Sequence, residues 1–170
     1  NGGAAHMRCD PLRGRKGTVW EGGHRVPAIA WWPGQVKAGS RTDQLSISLD
    51  LMPTMLELAG LSVKQDRKLD GVSLLPLLLE EKPLGRRQLF WNGVAMRDGP
   101  WKLVTREKDL KGGPALFNLD EDIAETTNLA ADHPQRVKRM LEALDAWTRD
   151  VADGQTPQSD YQRFKDLPAK

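Results

Sequence analysis

The feature that most constrains the fold is an apolar stripe near the C-terminal end of the chain. Apolar side chains recur there at i, i+3, i+4, i+7, i+10 and i+14, a spacing that places them on one face of a single helix. They are Val137, Met140, Leu141, Leu144, Trp147 and Val151. Pro134 fits the first turn of this helix, where its missing N–H costs no intrahelical bond. Such a helix must cover another apolar surface, which the chain has to provide.

Four short segments with the composition of β-strands precede the helix, at 88–91, 94–97, 101–105 and 115–119. The dipeptide Asp98-Gly99 stands between the second and third segments and is typical of tight hairpin turns. The sequence therefore predicts a small antiparallel four-stranded sheet with a packed C-terminal helix over residues 83–152. The polar remainder, 153–170, is expected to be a tail.

Residues 1–82 have a different character and predict mixed α/β structure. Segments 18–20 and 26–32 are apolar and short, which favours two strands around a Gly-Gly turn, the second strand buried. A helix is expected to start near Asp50, with Pro53 in its first turn. The predicted fold class is thus α/β, with a change of architecture near residue 83.

Bulk composition excludes several classes of protein. The chain has 170 residues, of which 39% are hydrophobic and 28% charged, with a net charge of +2. That balance is ordinary for a globular domain and gives no reason to expect a nucleic-acid partner. No apolar run approaches the roughly 20 residues that span a bilayer, so no membrane partner is expected. A single cysteine, Cys9, allows no intrachain disulfide.

The most distinctive local pattern is R-G-R-K-G-T-V-W-E-G-G-H-R-V-P, residues 13–27. Lys16 stands in a glycine-flanked loop, directly ahead of the Glu-Gly-Gly turn. Glycines let the backbone approach a ligand closely, and the lysine ammonium is a compact point charge suited to an oxyanion. The pattern predicts an anion-binding loop. His6 and His24 flank it and are expected to be exposed to solvent.

With these motifs the chain resembles the sulfatase family of the alkaline-phosphatase-like superfamily, from residue 1 to about residue 147. Residues 13–27 match the family segment R-G-x-K-G-T-x-x-E-G-G-x-R-x-P, and further motifs follow in family order. They are S-L-D-L-M-P-T from 48, L-D-G-V-S-L-L-P-L-L from 69, M-R-D-G-P-W-K-L from 96, and L-F-N-L from 116 with E-T-T-N-L-A from 125. The A-W-W-P-G sequence at 30–34 is similar to the arylsulfatase and N-acetylgalactosamine-6-sulfatase branch.

The resemblance implies the C-terminal portion of an enzyme that hydrolyses sulfate esters, either sulfated sugars or aryl sulfates. In such an enzyme residues 1–82 would be the end of a large α/β domain with a mixed sheet. It implies a formylglycine nucleophile and a calcium ion, both largely supplied upstream of this segment, which alone is expected to be inactive. Lys16 matches the lysine that contacts the sulfate. Asn1 matches a calcium ligand, and its amide oxygen suits that ion. A periplasmic or extracellular location is suspected from the resemblance.

Cys9 begins C-D-P-L-R, which fits the family's Cys-x-Pro-x-Arg nucleophile pattern. That motif normally lies far upstream of the lysine loop and precedes an apolar helix start, whereas here it runs directly into the loop. We therefore interpret the match as coincidental.

Two other functions fit the same residues. The chain could belong to a superfamily phosphatase or phosphonate hydrolase, with similar ligands and a different ester. It could also be a non-catalytic anion- or nucleic-acid-binding module that uses the basic loop, in which case binding would weaken steeply with salt.

Overall fold

A computed structural model of the protein describes residues 9–61 and 69–153. These residues form two compact units, one made of 9–25 together with 88–153 and the other of 26–87. The predicted division near residue 83 stays a prediction, and the predicted tail beyond Asp153 lies outside the described residues.

The first unit is built on a four-stranded sheet with the order β1-β2-β3-β4 and antiparallel neighbours throughout. The strands are β1, Gln88–Trp91; β2, Ala95–Asp98; β3, Trp101–Val104; and β4, Ala115–Asn118. Each begins and ends within one residue of its predicted range. Gly99 has a φ of 60° in the turn between β2 and β3, so the predicted hairpin is confirmed.

The C-terminal helix covers one face of this sheet. It spans Pro134–Asp153 and is labelled α4, because three shorter α-helices precede it in the described residues. Its Met140 and Leu144 are buried against Met96, Leu103 and Leu116 of the sheet. Burying each such side chain contributes roughly 1.5–3 kcal/mol, so this stripe secures the helix. The predicted sheet with a packed helix is therefore confirmed.

The segment before residue 25 covers the opposite face. Successive side chains on a strand point to opposite faces, so Ala95, Val104 and Phe117 lie on the other side from the helix contacts. Val19 and Trp20 pack against them, with the Trp20 and Phe117 rings edge to face at 5.8 Å. Both faces of the sheet are thus buried within one unit.

The predicted strand at 18–20 is wrong. The chain there makes a turn and enters a one-turn helix, α1, Glu21–His24. The backbone N–H groups of Val19 and Glu21 donate to the side chains of Glu107 and Glu125 at 2.8 and 2.7 Å. Two carboxylates therefore accept the backbone N–H groups that a neighbouring strand would have bound. These carboxylates are distant in the sequence, so the local pattern at 18–20 does not predict them.

The second unit contains a 3-10 turn, Ser48–Asp50, followed by α2, Leu51–Leu58, and later by α3, Leu75–Glu80. Asp50 is fully buried and forms a two-pronged ion pair with Arg87, both oxygen–nitrogen distances being 2.7 Å. It also accepts the N–H groups of Ile47 and Val72. The predicted helix start near Asp50 is confirmed.

The predicted buried strand at 26–32 is also wrong. The segment has no regular structure, and Ile29 and Trp31 are 94% and 84% exposed. An apolar run indicates burial only where a partner surface is present, and the described residues offer none to it. Within those residues, no helix combines the length and the apolar character needed to cross a membrane.

Candidate anion-binding site

Lys16 lies at the tip of a tight turn. The backbone N–H and the hydroxyl of Thr18 both donate to the carbonyl of Arg15, at 3.1 and 2.8 Å. Gly17 has a φ of 89°, a left-handed value that glycine adopts without strain. The Lys16 side chain is exposed. The turn therefore presents a lysine cation to solvent from a defined backbone position.

Two glycines let the segment fold back tightly beneath this turn. A Cβ on Gly22 would stand 2.6 Å from the carbonyl oxygens of Arg13 and Gly14, and one on Gly23 would stand 2.0 Å from the carbonyl oxygen of Thr18. Because the backbones are this close, the Gly22 N–H donates to the carbonyl oxygen of Arg13 at 2.7 Å. The Glu-Gly-Gly motif thus serves close packing of the loop on itself.

Arg13 anchors the loop from its N-terminal side. Its guanidinium stacks on the Trp20 ring at 3.7 Å and donates to Asp109 at 2.7 Å. Asp109 also accepts the Trp20 indole N–H at 2.9 Å. A second guanidinium nitrogen of Arg13 donates to the carbonyl of Glu125 at 2.8 Å. These contacts tie the loop to the β3–β4 connection and to the chain after β4.

A buried charge cluster, defined as Glu21, Lys102 and Glu125, anchors the loop from its C-terminal side. Lys102 is fully buried on β3, and its Nζ lies 2.9 Å from Oε1 of Glu21 and 2.7 Å from Oε1 of Glu125. Both glutamates are at most 1% exposed. Arg97 and Arg25 approach the second oxygen of Glu21 at 3.6 and 3.5 Å.

The two carboxylates of the cluster differ in their pKa values. Burial alone would raise the pKa of Glu21, but Lys102, followed by the other cations around it, outweighs burial and holds that pKa below its usual value. Burial raises the pKa of Glu125, and Lys102 offsets it only in part. The cluster therefore keeps Glu21 firmly ionised, while Glu125 is the member that takes up a proton first.

His24 is not exposed as predicted. Its ring stacks on Trp91 with centroids 4.3 Å apart, and its Nε2 lies 3.1 Å from the carbonyl oxygen of Val19. Burial and then the nearby Lys102 cation lower the pKa of His24 to about 4. The ring is therefore neutral at physiological pH and acts as packing beside the cluster.

The other predicted site residues fall outside this arrangement. Asn1 lies outside the described residues. Cys9 is partly buried beneath the loop, its Cβ 3.1 Å from where a Cβ on Gly22 would stand, and it lines an open cleft of about 1020 Å³ shared with Arg13 and Arg15. Over 9–61 and 69–153, no group of three or more His, Cys, Asp or Glu side chains could hold a metal ion.

The sequence did not predict this cluster, although each of its three residues lies within one of the sulfatase-like motifs. The available signal was Lys102, a charge at an inward position of the otherwise apolar segment Trp101–Val104. A buried lysine requires carboxylate partners. The sequence alone does not say that those partners are 81 residues upstream and 23 residues downstream.

Comparison with known proteins assigns the family. The family described as N-sulphoglucosamine sulphohydrolase, C-terminal, matches residues 15–149. Arylsulfatase G of Rattus norvegicus is 34% identical over 86% of this chain and 32% of its own length. N-acetylgalactosamine-6-sulfatase of Homo sapiens is 47% identical over a shorter stretch, 46% of this chain and 15% of its own.

A solved structure extends the match to the fold. The crystal structure of Ps i-CgsB in complex with k-i-k-neocarrahexaose has a TM-score of 0.69 and 29% identity, covering 81% of this chain and 32% of that one. The chain thus spans about a third of the length of the longer relatives it matches. It belongs to the sulfatase family, whose C-terminal domain it matches over most of its length.

Proposed function

We propose that this chain is the C-terminal part of an enzyme that hydrolyses sulfate esters, and that Lys16 is its donor to the sulfate group. The observation that carries the proposal is the position of Lys16, an exposed cation at the tip of a turn whose backbone is fixed on both sides. A loop that merely carried surface charge would not need to be held from both sides, by the contacts of Arg13 on one side and by the buried charge cluster on the other.

Lys16 would act on the charge of the reacting group. During ester hydrolysis negative charge grows on the oxygens around sulfur, and a fixed ammonium nearby stabilises that charge. Removal of one such donor commonly costs about 10²–10³ in rate. The lysine also has three N–H donors, so it can contact a sulfate oxygen without a demanding angular fit.

The formylglycine nucleophile and the calcium ion belong to this proposal only through the family resemblance. The described residues do not form a metal site, and Asn1 is at most one ligand of a site whose other members lie elsewhere. Cys9 lies against Gly22 of the Glu-Gly-Gly turn, and its motif runs directly into the lysine loop instead of preceding an apolar helix start. We therefore assign the nucleophile to a residue outside this chain.

The exposed apolar side chains of residues 26–61 support the idea of a larger enzyme. Large hydrophobic residues there are open to solvent, including Ile29, Trp31, Met52, Met55 and Leu61. So many large apolar side chains exposed within one short stretch of the chain favour a surface that contacts other protein. A further part of the α/β domain would cover it.

Sulfated sugars are the substrate class we favour. One relative is named for the 6-sulfate of N-acetylgalactosamine, and the matched crystal structure holds a neocarrahexaose. Aryl sulfates remain useful as chromogenic probes. In keeping with the family resemblance, we propose a periplasmic or extracellular location.

The test uses the polypeptide encoded by the complete reading frame that contains this chain. Turnover of an aryl sulfate and of N-acetylgalactosamine 6-sulfate is measured against an aryl phosphate, for the unmodified protein and for Lys16→Ala. Lys111→Ala, at an exposed lysine in the β3–β4 connection, is the matched control. We expect sulfate hydrolysis that falls about 10²-fold in Lys16→Ala and is unchanged in Lys111→Ala.

Three outcomes would refute the proposal. Preferential turnover of the phosphate would make the chain part of a phosphatase. Full activity of Lys16→Ala would remove the lysine from the site. Absence of turnover, together with polyanion binding that weakens steeply with salt, would indicate a non-catalytic binding module.

A further inference from the structure

The buried charge cluster stands apart from the exposed Lys16 turn, yet its contacts converge on the segment that carries the turn. Glu125 is the central residue. Its Oε2 accepts the N–H of Glu21 at 2.7 Å, and its backbone carbonyl accepts the Arg13 guanidinium at 2.8 Å. Glu125, in the segment that follows β4, therefore contacts the chain both before Lys16, at Arg13, and after it, at Glu21.

Lys102 locks this arrangement onto the sheet. Its side chain rises from β3 and contacts a carboxylate oxygen of both glutamates, at 2.9 and 2.7 Å. Because Lys102 lies opposite Phe117 in the strand register, the lysine emerges on the face that Trp20 covers. The position of Glu21 relative to the sheet is thereby set by two charged contacts and one backbone hydrogen bond.

The position of Glu21 is coupled to the Lys16 turn by close backbone packing. Gly22 and Gly23 follow the Lys16 turn and pack directly on the residues around it, with no space for even a methyl group between them. Those residues are Arg13, Gly14 and Thr18. The chain before the turn and the chain after it are also joined by a hydrogen bond, in which the Gly22 N–H donates to the Arg13 carbonyl oxygen at 2.7 Å. A displacement of Glu21 therefore presses directly on Arg13, Gly14 and Thr18, which lie on either side of Lys16.

The energetic cost of the cluster argues that it does more than fill the core. Three charged groups at most 1% exposed carry a desolvation penalty that apolar side chains of similar size would avoid. What ion pairs provide, and apolar contacts do not, is a fixed direction and register. A catalytic donor benefits from this, since a displacement of about 1 Å can cost 10²-fold in rate.

We infer that Glu21, Lys102 and Glu125 are positioning residues that hold Lys16 at the distance its sulfate contact requires. The inference rests on the proposed function of Lys16 and adds residues that do not themselves touch the substrate. It predicts that disturbing Glu125 weakens sulfate hydrolysis only through Lys16.

A double-mutant cycle on the same complete polypeptide tests this. Glu125→Gln keeps an acceptor for the Glu21 N–H but loses the charge that pairs with Lys102. We expect kcat/KM for the sulfate ester to fall about 10- to 100-fold in Glu125→Gln. In a Lys16→Ala background the same substitution should change kcat/KM by less than about twofold, because the donor is already gone. Glu121→Gln, an exposed change in the same segment, is the control and should leave turnover unchanged.

The possible results separate this inference from the proposed function. A Lys16→Ala variant with full activity, or an unmodified protein without turnover, overturns both. Loss of activity in Lys16→Ala with full activity in Glu125→Gln overturns the positioning role alone. So does an undiminished effect of Glu125→Gln in the Lys16→Ala background, which is the result expected of general destabilisation.

Folding is monitored by the unfolding transition of each variant. If Glu125→Gln does not fold, Arg13→Gln enters the same cycle, because Arg13 holds the Glu125 carbonyl from a position that is 29% exposed. The same non-additivity with Lys16→Ala supports the inference, and additive losses overturn it.

Discussion

Replacing Lys102 with methionine should destabilise the first unit in a way that depends on pH. The substitution keeps most of the length of the side chain and removes its ammonium group, which leaves two glutamates with almost no solvent exposure facing each other. Removing one partner of a buried ion pair typically costs about 3–5 kcal/mol.

The protein can limit that cost by protonating one carboxyl group. Glu125 is the group that responds, since burial already raises its pKa. Starting from an unfolded pKa of about 4.3, holding a glutamate protonated at pH 7 costs about 3.7 kcal/mol, and this cost falls by about 1.4 kcal/mol for each pH unit. The destabilisation should therefore be about 4 kcal/mol at pH 7 and close to 1 kcal/mol at pH 5.

Urea unfolding followed by tryptophan fluorescence measures this directly, because Trp20 is buried beside the cluster in the same unit. Lys111→Met applies the same chemical change at an exposed site and should cost less than about 0.5 kcal/mol at either pH. A Lys102→Met cost below 1 kcal/mol at pH 7, or one that does not change between pH 7 and pH 5, would refute the reasoning.

Three further predictions concern single residues. His24 has a folded pKa of about 4, so its contribution to stability is complete above its unfolded pKa and about 2 kcal/mol is lost between pH 7 and pH 5. His24→Phe should flatten that part of the pH profile of unfolding, and an unchanged slope would contradict the assignment. Gly23→Ala places a Cβ 2.0 Å from the Thr18 carbonyl oxygen, so we expect the unfolding midpoint of the first unit to drop by several degrees; wild-type stability would show that the loop is looser than described. Asp50→Asn leaves the Arg87 guanidinium, 11% exposed, without its counter-charge and should cost about 3 kcal/mol, read out as faster proteolysis of residues 26–87 with the first unit intact.

The sheet and its helix were predictable because their signals are local. Asp98-Gly99 marks a turn by its own chemistry, and the stripe from Val137 to Val151 specifies a helix without knowledge of its partner. The sulfate-binding role proposed for Lys16 rests on the motif as a whole and stays a prediction, to which the structure adds the position of that lysine at the tip of an exposed turn.

The failures have a common physical origin in distant partners. Residues 18–20 and 26–32 have strand-like composition, but a strand exists only where another strand supplies hydrogen bonds. At the first segment the backbone N–H groups of Val19 and Glu21 donate to glutamate side chains instead. At 26–32 the described residues supply no partner strand. Glu21 and Glu125 were likewise invisible as a pair, because 104 residues separate them in the sequence.

That separation has a consequence for how the protein is made. During synthesis the Lys16 turn leaves the ribosome more than a hundred residues before Glu125, which must be present to fix it. N-terminal parts usually fold first as they emerge, yet this loop has to wait while residues 26–87, which belong to the other unit, are produced. A premature stop anywhere before residue 125 would thus leave Lys16 encoded and translated but without the contacts that Glu125 makes to both sides of it.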